Sequence, residues 1–226
     1  IDITTIASIE KAKKEQEEYK GGSQSSTQQI RDVDWIKNRY FFIHPWFRNG
    51  IDSAIVNNLV IHNVNIPSFY PLVNGLHYIG NLVVKNFELY KSINTNDAGA
   101  VTGTAFINPL NPTDSLFNDD NETGNFIRLE SGTNYELSAD LGYIRLRDMV
   151  MNEILGCSFI LEDRNTGQVV LEVGSPADSL GTNLSLMMLK PRNSHPNHPS
   201  WPLMFKNVYY LGTTQINQDG FEVKII

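Results

Sequence analysis

From Phe126 onward the chain delivers short apolar runs at a steady spacing, and this most constrains what it can fold into. The runs are FIRLE (126–130), TNYEL (133–137), GYIRLR (142–147), GCSFILED (156–163) and QVVLEVG (168–174). They recur about every ten residues with Gly, Asn, Asp or Ser between them, which is the spacing of an all-β domain. Asp163-Arg164-Asn165-Thr166-Gly167 fits a hairpin turn, with Gly167 free to take positive φ. The expected class is therefore mainly β, an antiparallel β-sandwich-like domain.

The first half follows a looser version of the same pattern. Residues 82–93 alternate, with Val83, Phe87, Leu89 and Ile93 on one face and Asn86, Glu88 and Ser92 on the other. Residues 55–64 read as a strand, and 39–47 (RYFFIHPWF) as an aromatic-rich stretch broken by Pro45. Residues 94–125 hold Gly, Asn, Asp, Pro and Thr with little periodicity, so the expectation is a long exposed loop with one short strand at Thr104–Ile107.

Residues 184–226 have an unusual order. An apolar run ends at Lys190 and a loop with four prolines follows. Met204, Val208 and Leu211 fit one helical face with Gly212 as the stop, which predicts a short helix within 201–211. FEVKII then alternates Phe221, Val223 and Ile225 on one face of a last strand.

At the other end, residues 4–20 read as a helix capped by Thr4 or Thr5, with Glu10 four residues before Lys14 and Gly21-Gly22 as the stop. A polar, flexible stretch (22–29) follows it. The expected organisation is an N-terminal helix and linker over 1–29 and a β-rich domain over 30–226, with 94–125 as the place where that domain would divide in two. No fixed-period repeat is present. The abrupt start and the apolar last strand read as a part excised from a larger protein.

Composition narrows the function. The formal net charge of −7 argues against sequence-independent binding of nucleic acid, which needs a basic footprint. A single cysteine, Cys157, rules out an internal disulfide and a cysteine-rich zinc site, and its apolar surroundings read as a small buried hydrophobe. No apolar run reaches the roughly 18 residues of a membrane helix.

Each candidate for chemistry has a plainer reading. His195 and His198 are three apart and could share an ion, but a catalytic zinc needs a third ligand, and Pro196 and Pro199 favour a rigid, exposed connector. His44, His62 and His77 are isolated. Asp119-Asp120-Asn121-Glu122 has the acidity of a calcium loop without its spacing. Asn121-Glu122-Thr123 also matches the glycosylation sequon, a pattern frequent by chance. Glu162 and Asp163 are neighbours on a strand, point to opposite faces and cannot flank one substrate bond. The aromatics Trp35, Tyr40, Phe41, Phe42, Trp46 and Phe47 could form a glycan platform or fill a core. No nucleophile elbow, phosphate loop or dinucleotide fingerprint occurs. The expectation is a protein that is not an enzyme, with no catalytic, cofactor-binding or metal-binding residues and no cofactor.

Several ordered stretches do carry a resemblance. LGYIRL (141–146) with NEIL (152–155), LEVG (171–174), and above all LMMLKPRN (186–193), WPLMFKNVYYLG (201–212) and TQINQDGFEVKI (214–225) resemble the SprA, or Sov, family. That family is the giant outer-membrane translocon of the type IX secretion system of Bacteroidota, which also serves gliding motility. NRYFFIHPWFRNG (38–50) and KNFELYKSIN (85–94) are a fainter match. The likeness spans roughly 33–226 and is strongest after about 133. Where the family would place a Trp-containing strand this chain reads FELY (87–90), and loop 94–125 has no counterpart.

The resemblance implies a role in protein transport across the outer membrane, in a family with no catalytic residues to carry over. The implied partners are the rest of the translocon barrel, secreted cargo, and accessory or plug proteins. The implied place is the outer membrane, on the cell-surface face. Strands shorter than the roughly ten residues of a membrane wall, with Arg145, Arg147 and Glu172 on them, suit a soluble insert or cap. The alternative expectation is a cell-surface β module that binds a glycan or a protein. A metal-dependent hydrolase using His195 and His198 ranks last.

Overall fold

Strand β9 (Leu155–Asp163) organises the molecule, because six of its nine residues are buried and both of its edges are paired. The computed structural model describes residues 29–50, 54–56, 59–61, 69, 82–94, 99–175 and 183–211. The helix expected over 4–20 and the strand expected at 221–226 lie outside them. In chain order the described elements begin with β1 (Tyr40–Phe42), α1 (Pro45–Asn49) and a two-stranded hairpin, β2 (Ala54–Val56) with β3 (Leu59–Ile61). There follow β4 (Leu82–Ile93), β5 (Val101–Phe106), β6 (Glu122–Leu129), β7 (Tyr135–Ser138), β8 (Tyr143–Leu146), β9, β10 (Val169–Val173) and β11 (Leu184–Lys190).

The larger sheet closes on itself. Its order is β10-β9-β11-β5-β6-β4, and β4 pairs again with β9. One edge of β9 runs along β4; the other meets β11 at 155–157 and β10 at 159–162. The result is a five-stranded ring, β9-β11-β5-β6-β4, with β10 as a branch. Five strands cannot alternate direction all the way round, so one pair must be parallel, and it is β5 with β11. A ring this narrow has space only for side chains. Tyr90, Ala105, Phe126, Leu184, Leu186 and Met188 fill it, and Ile154 joins them at the start of β9. Outside the ring, Thr104 and Thr123 hydroxyls bond at 3.0 Å and Thr102 bonds Asn125 at 3.1 Å, so the outer face of β5 and β6 is polar.

A second, three-stranded sheet, β1-β8-β7, packs on the outside of the ring over β4, β9 and β11. This is the sandwich layering within a fold that is mainly β, as expected. Between the layers lies the larger core. It is aromatic: the Phe42 and Phe205 rings stack at 4.3 Å, and Phe69 meets Phe42 edge-on at 5.0 Å. Phe41, Phe42 and Ile43 are fully buried, and each such side chain contributes about 1.5–3 kcal/mol of apolar burial.

Four local expectations change. Strand β4 spans 82–93 as expected, but a bulge lies between Lys85 and Glu88, where Asn86 has φ +49°. The bulge shifts the alternation by one. Leu82 and Val84 therefore share the outer core with Phe87 and Leu89, Val83 faces away, and Ser92 is buried. In place of the single strand expected at 55–64, the described residues form the antiparallel β2–β3 pair. The stretch 94–125 supplies β5 and the start of β6 to the ring wall, where Gly103 and Ala105 are small enough to face a crowded interior. The helix expected near 201–211 is a 3-10 turn, Trp201–Leu203, after which the chain runs extended: Met204 bridges to Phe41 and the Phe205 amide donates to the Tyr40 carbonyl at 3.0 Å. Tertiary pairing with the edge of β1 overrides the helical spacing, and Leu211 is exposed.

Candidate functional site

Where β11 leaves the ring, four distant segments enclose a groove of about 390 Å3. Its floor is Lys190 and Met204, its walls are 35–38 and 151–152, and its rim is 192–195 with Trp201. Lys190 is the last residue of β11 and only 1% exposed. Its ammonium donates to three carbonyls, those of Met151 at 2.8 Å, Glu153 at 3.2 Å and Pro191 at 2.8 Å. All three of its donors are thus used. Burial lowers its pKa, and Glu153 and Glu122 oppose the shift.

These bonds fix the 151–153 wall. The Glu153 carboxylate accepts the amides of Met151 and Asn152, both at 3.0 Å, and the Ile154 amide donates to the buried Ser92 hydroxyl at 2.8 Å. The opposite wall is held equally. Asn38 has φ +56°, donates its amide to the Met204 sulfur at 3.3 Å and accepts the Val150 amide at 3.4 Å. Trp35 bridges Tyr209, and the Ile36 amide donates to the Val208 carbonyl at 2.7 Å. The groove is therefore preformed. Lys37 stands 5.6 Å over the Trp35 ring and Lys206 stands 5.0 Å over the Trp201 ring, each in cation–π contact.

The residues singled out in the sequence fall into place as follows. His195 is exposed on the rim, but His198 is buried, which corrects the picture of a wholly exposed connector. The His198 Nδ1 accepts the Ser200 amide at 3.2 Å, so its other nitrogen carries the proton and faces the Asp120 carboxylate at 3.9 Å. Burial lowers the pKa of His198. The two imidazoles meet edge to face at 5.6 Å. Among the described residues no group of three His, Cys, Asp or Glu could hold a metal.

The acidic stretch is occupied by structural bonds. Asn121 accepts the Ile107 amide at 3.0 Å and Glu122 accepts the Arg192 amide at 3.1 Å. Asn121 thus closes loop 107–121 on itself, while Glu122 and Asp120 face Arg192 and His198 of the connector after β11. Asp163 caps its hairpin turn by accepting the Asn165 and Thr166 amides at 2.8 and 2.9 Å. Cys157 is fully buried with its pKa pushed up by burial, and its thiol points to the Ile43 carbonyl at 3.8 Å. His44 is buried and caps α1 by accepting the Trp46 amide. Burial lowers its pKa to about 3. His62 and His77 lie outside the described residues.

Of the six aromatics named as a platform, Phe41, Phe42 and Phe47 are buried in the outer core, and Trp35 alone lines the groove. Trp201, Met151 and Lys190 are site residues that the sequence reading did not single out. Nothing local marks them, because the groove is assembled from segments far apart in sequence. No protein-family model and no curated protein matches this chain.

Proposed function

We propose that this chain is a non-catalytic insert or cap domain of a SprA-like outer-membrane translocon, shaping the export channel or contacting cargo and accessory proteins on the cell-surface side. One observation carries the reading. Among the described residues, several of the stretches with the family resemblance, far apart in sequence, pack on one another. RYFF of β1 pairs with YIRL of β8 on one edge and meets Met204 and Phe205 of WPLMF on the other. LMMLK of β11 pairs with β9 and lies beneath them in the same core. Motifs shared as parts of one folded unit are expected to co-locate; chance matches are not.

The closed ring supports an insert over a wall. A transmembrane barrel has a polar lumen and an apolar outer band. This ring is the reverse, with Phe126, Leu184, Leu186 and Met188 inside and a Thr- and Asn-bearing face on β5 and β6 outside. The test is the parent reading frame. It should encode amphipathic segments of about ten residues on both sides of this domain. A reading frame lacking them on both sides overturns the reading.

A further inference from the structure

The groove beside Lys190 has a chemistry of its own. Among the described residues its lining carries Lys37, Lys190 and Arg192 and no Asp or Glu, in a chain whose net charge is −7. Carboxylates stand beside it, but each is already engaged: Glu153 holds the Met151 and Asn152 amides, Glu122 holds the Arg192 amide, and Asp34 pairs with Arg31. Lys37, on the 35–38 wall, and Arg192, on the rim, are both exposed. The apolar part of the lining is half-buried Trp35 and Trp201 and a Met151 that is 60% exposed. An unbranched, polarisable side chain held out in water at the mouth of a groove is the kind used to accommodate varied apolar partners.

The geometry points to a docking groove for an extended peptide segment that alternates acidic and apolar side chains. The cationic rim would take the carboxylates, and the Trp35–Met151–Trp201 surface the apolar residues. Asn152 and Asn193 line the same groove as polar residues. A glycan is the weaker fit, since sugar stacking uses open indole faces and here Lys37 and Lys206 each stand over one. The walls are fixed by the Lys190 and Asn38 bonds, so binding needs little ordering of the groove. The inference rests on this groove alone and not on the export reading, so a failed titration leaves the test of flanking strands untouched.

Tryptophan fluorescence titration with short synthetic peptides of alternating Leu and Asp tests it, beside the Leu/Lys counterparts and polygalacturonate. The expected result is saturable binding of the Leu/Asp peptide only. Affinity should fall roughly tenfold or more in Lys37→Glu with Arg192→Glu, and also in Met151→Asp, at unchanged thermal melting. Amide chemical-shift mapping on the unaltered protein should place the changes at 35–38, 151–152 and 192–195, and needs no variant to fold. Equal binding of the Leu/Lys peptide, binding of polygalacturonate alone, shifts elsewhere on the surface, or no binding at all would overturn it.

Discussion

The two cores of this protein solve the same burial problem in opposite ways. The outer core, between the three-stranded sheet and the ring, is aromatic and draws on β1, α1, β7, β8 and the 203–205 stretch as well as the ring wall. The ring interior is aliphatic apart from Tyr90 and Phe126, and is lined by Gly103, Gly124 and Gly156. A flat interface between layers can be filled by large rings. The inside of a five-stranded ring cannot, so side chains must be omitted where strands approach. The outer core should therefore fail by losing volume and the inner one by gaining it.

The largest expected effect is on the outer core. Phe42 is 1% exposed and stacked on Phe205. Phe42→Ala should cost about 3–5 kcal/mol in chemical denaturation, the range for buried aromatic truncation. Amides of the ring strands should keep more of their hydrogen-exchange protection than those of β1 and β8. If protection falls equally everywhere, the two cores are one cooperative unit and the contrast is mistaken.

The converse substitution probes the ring. A Cβ on Gly103 would lie 2.5 Å from the Leu184 Cβ and 2.8 Å from its carbonyl oxygen, so backbone must move at the one parallel pair. Gly103→Ala should cost about 3 kcal/mol, at the upper end for overpacking. Gly124→Ala meets only ordinary contacts from 3.8 Å outward and should be nearly neutral. Equal melting temperatures for the two variants would remove the crowding argument. Slightly smaller is the effect at the ring's mouth, where Lys190→Met leaves three carbonyls without their donor; about 2 kcal/mol is expected, the scale of unsatisfied buried polar groups.

How much of this was legible in the sequence follows the same division. The Asp163–Gly167 turn and the strands from 126 to 174 were readable because turn chemistry and alternation are local. Closure of the ring was not, since it depends on β4 meeting β9 across some seventy intervening residues. The inward glycine at 103 reads as a loop signal when its meaning is close strand approach. The bulge at Asn86 reverses the expected faces of β4 only before it, at 82–84, and leaves no mark in the pattern. Of the site, Trp35 and His195 were singled out for other reasons, while Lys190 read only as the end of an apolar run.

The smallest effect is one of pH, and it separates the cores by charge. His44 sits in the outer layer, its ring edge-on to Trp46 at 4.7 Å, and desolvation alone lowers its pKa from 6.5 to about 3. The folded protein refuses a proton that the unfolded chain accepts below pH 6.5. Above that value both states are neutral and stability is unaffected. As pH falls through the window between the two pKa values, the unfolded state binds more protons and stability declines by about 1.4 kcal/mol per unit, after a first loss of about 1 kcal/mol just below the upper limit. His198, also lowered by burial, acts in the same direction, so the decisive measurement is a difference. In His44→Asn, which keeps an N-cap acceptor for α1, the slope of unfolding free energy between pH 6.5 and roughly 5 should be shallower than in the parent protein. In the parent, exchange protection should fall first in β1 and β8, while the ring interior, whose cluster contains no group that titrates in this range, should hold. An unchanged slope in His44→Asn would mean that His44 is not kept neutral by the outer core, and that the aromatic layer is more open to water than its burial implies.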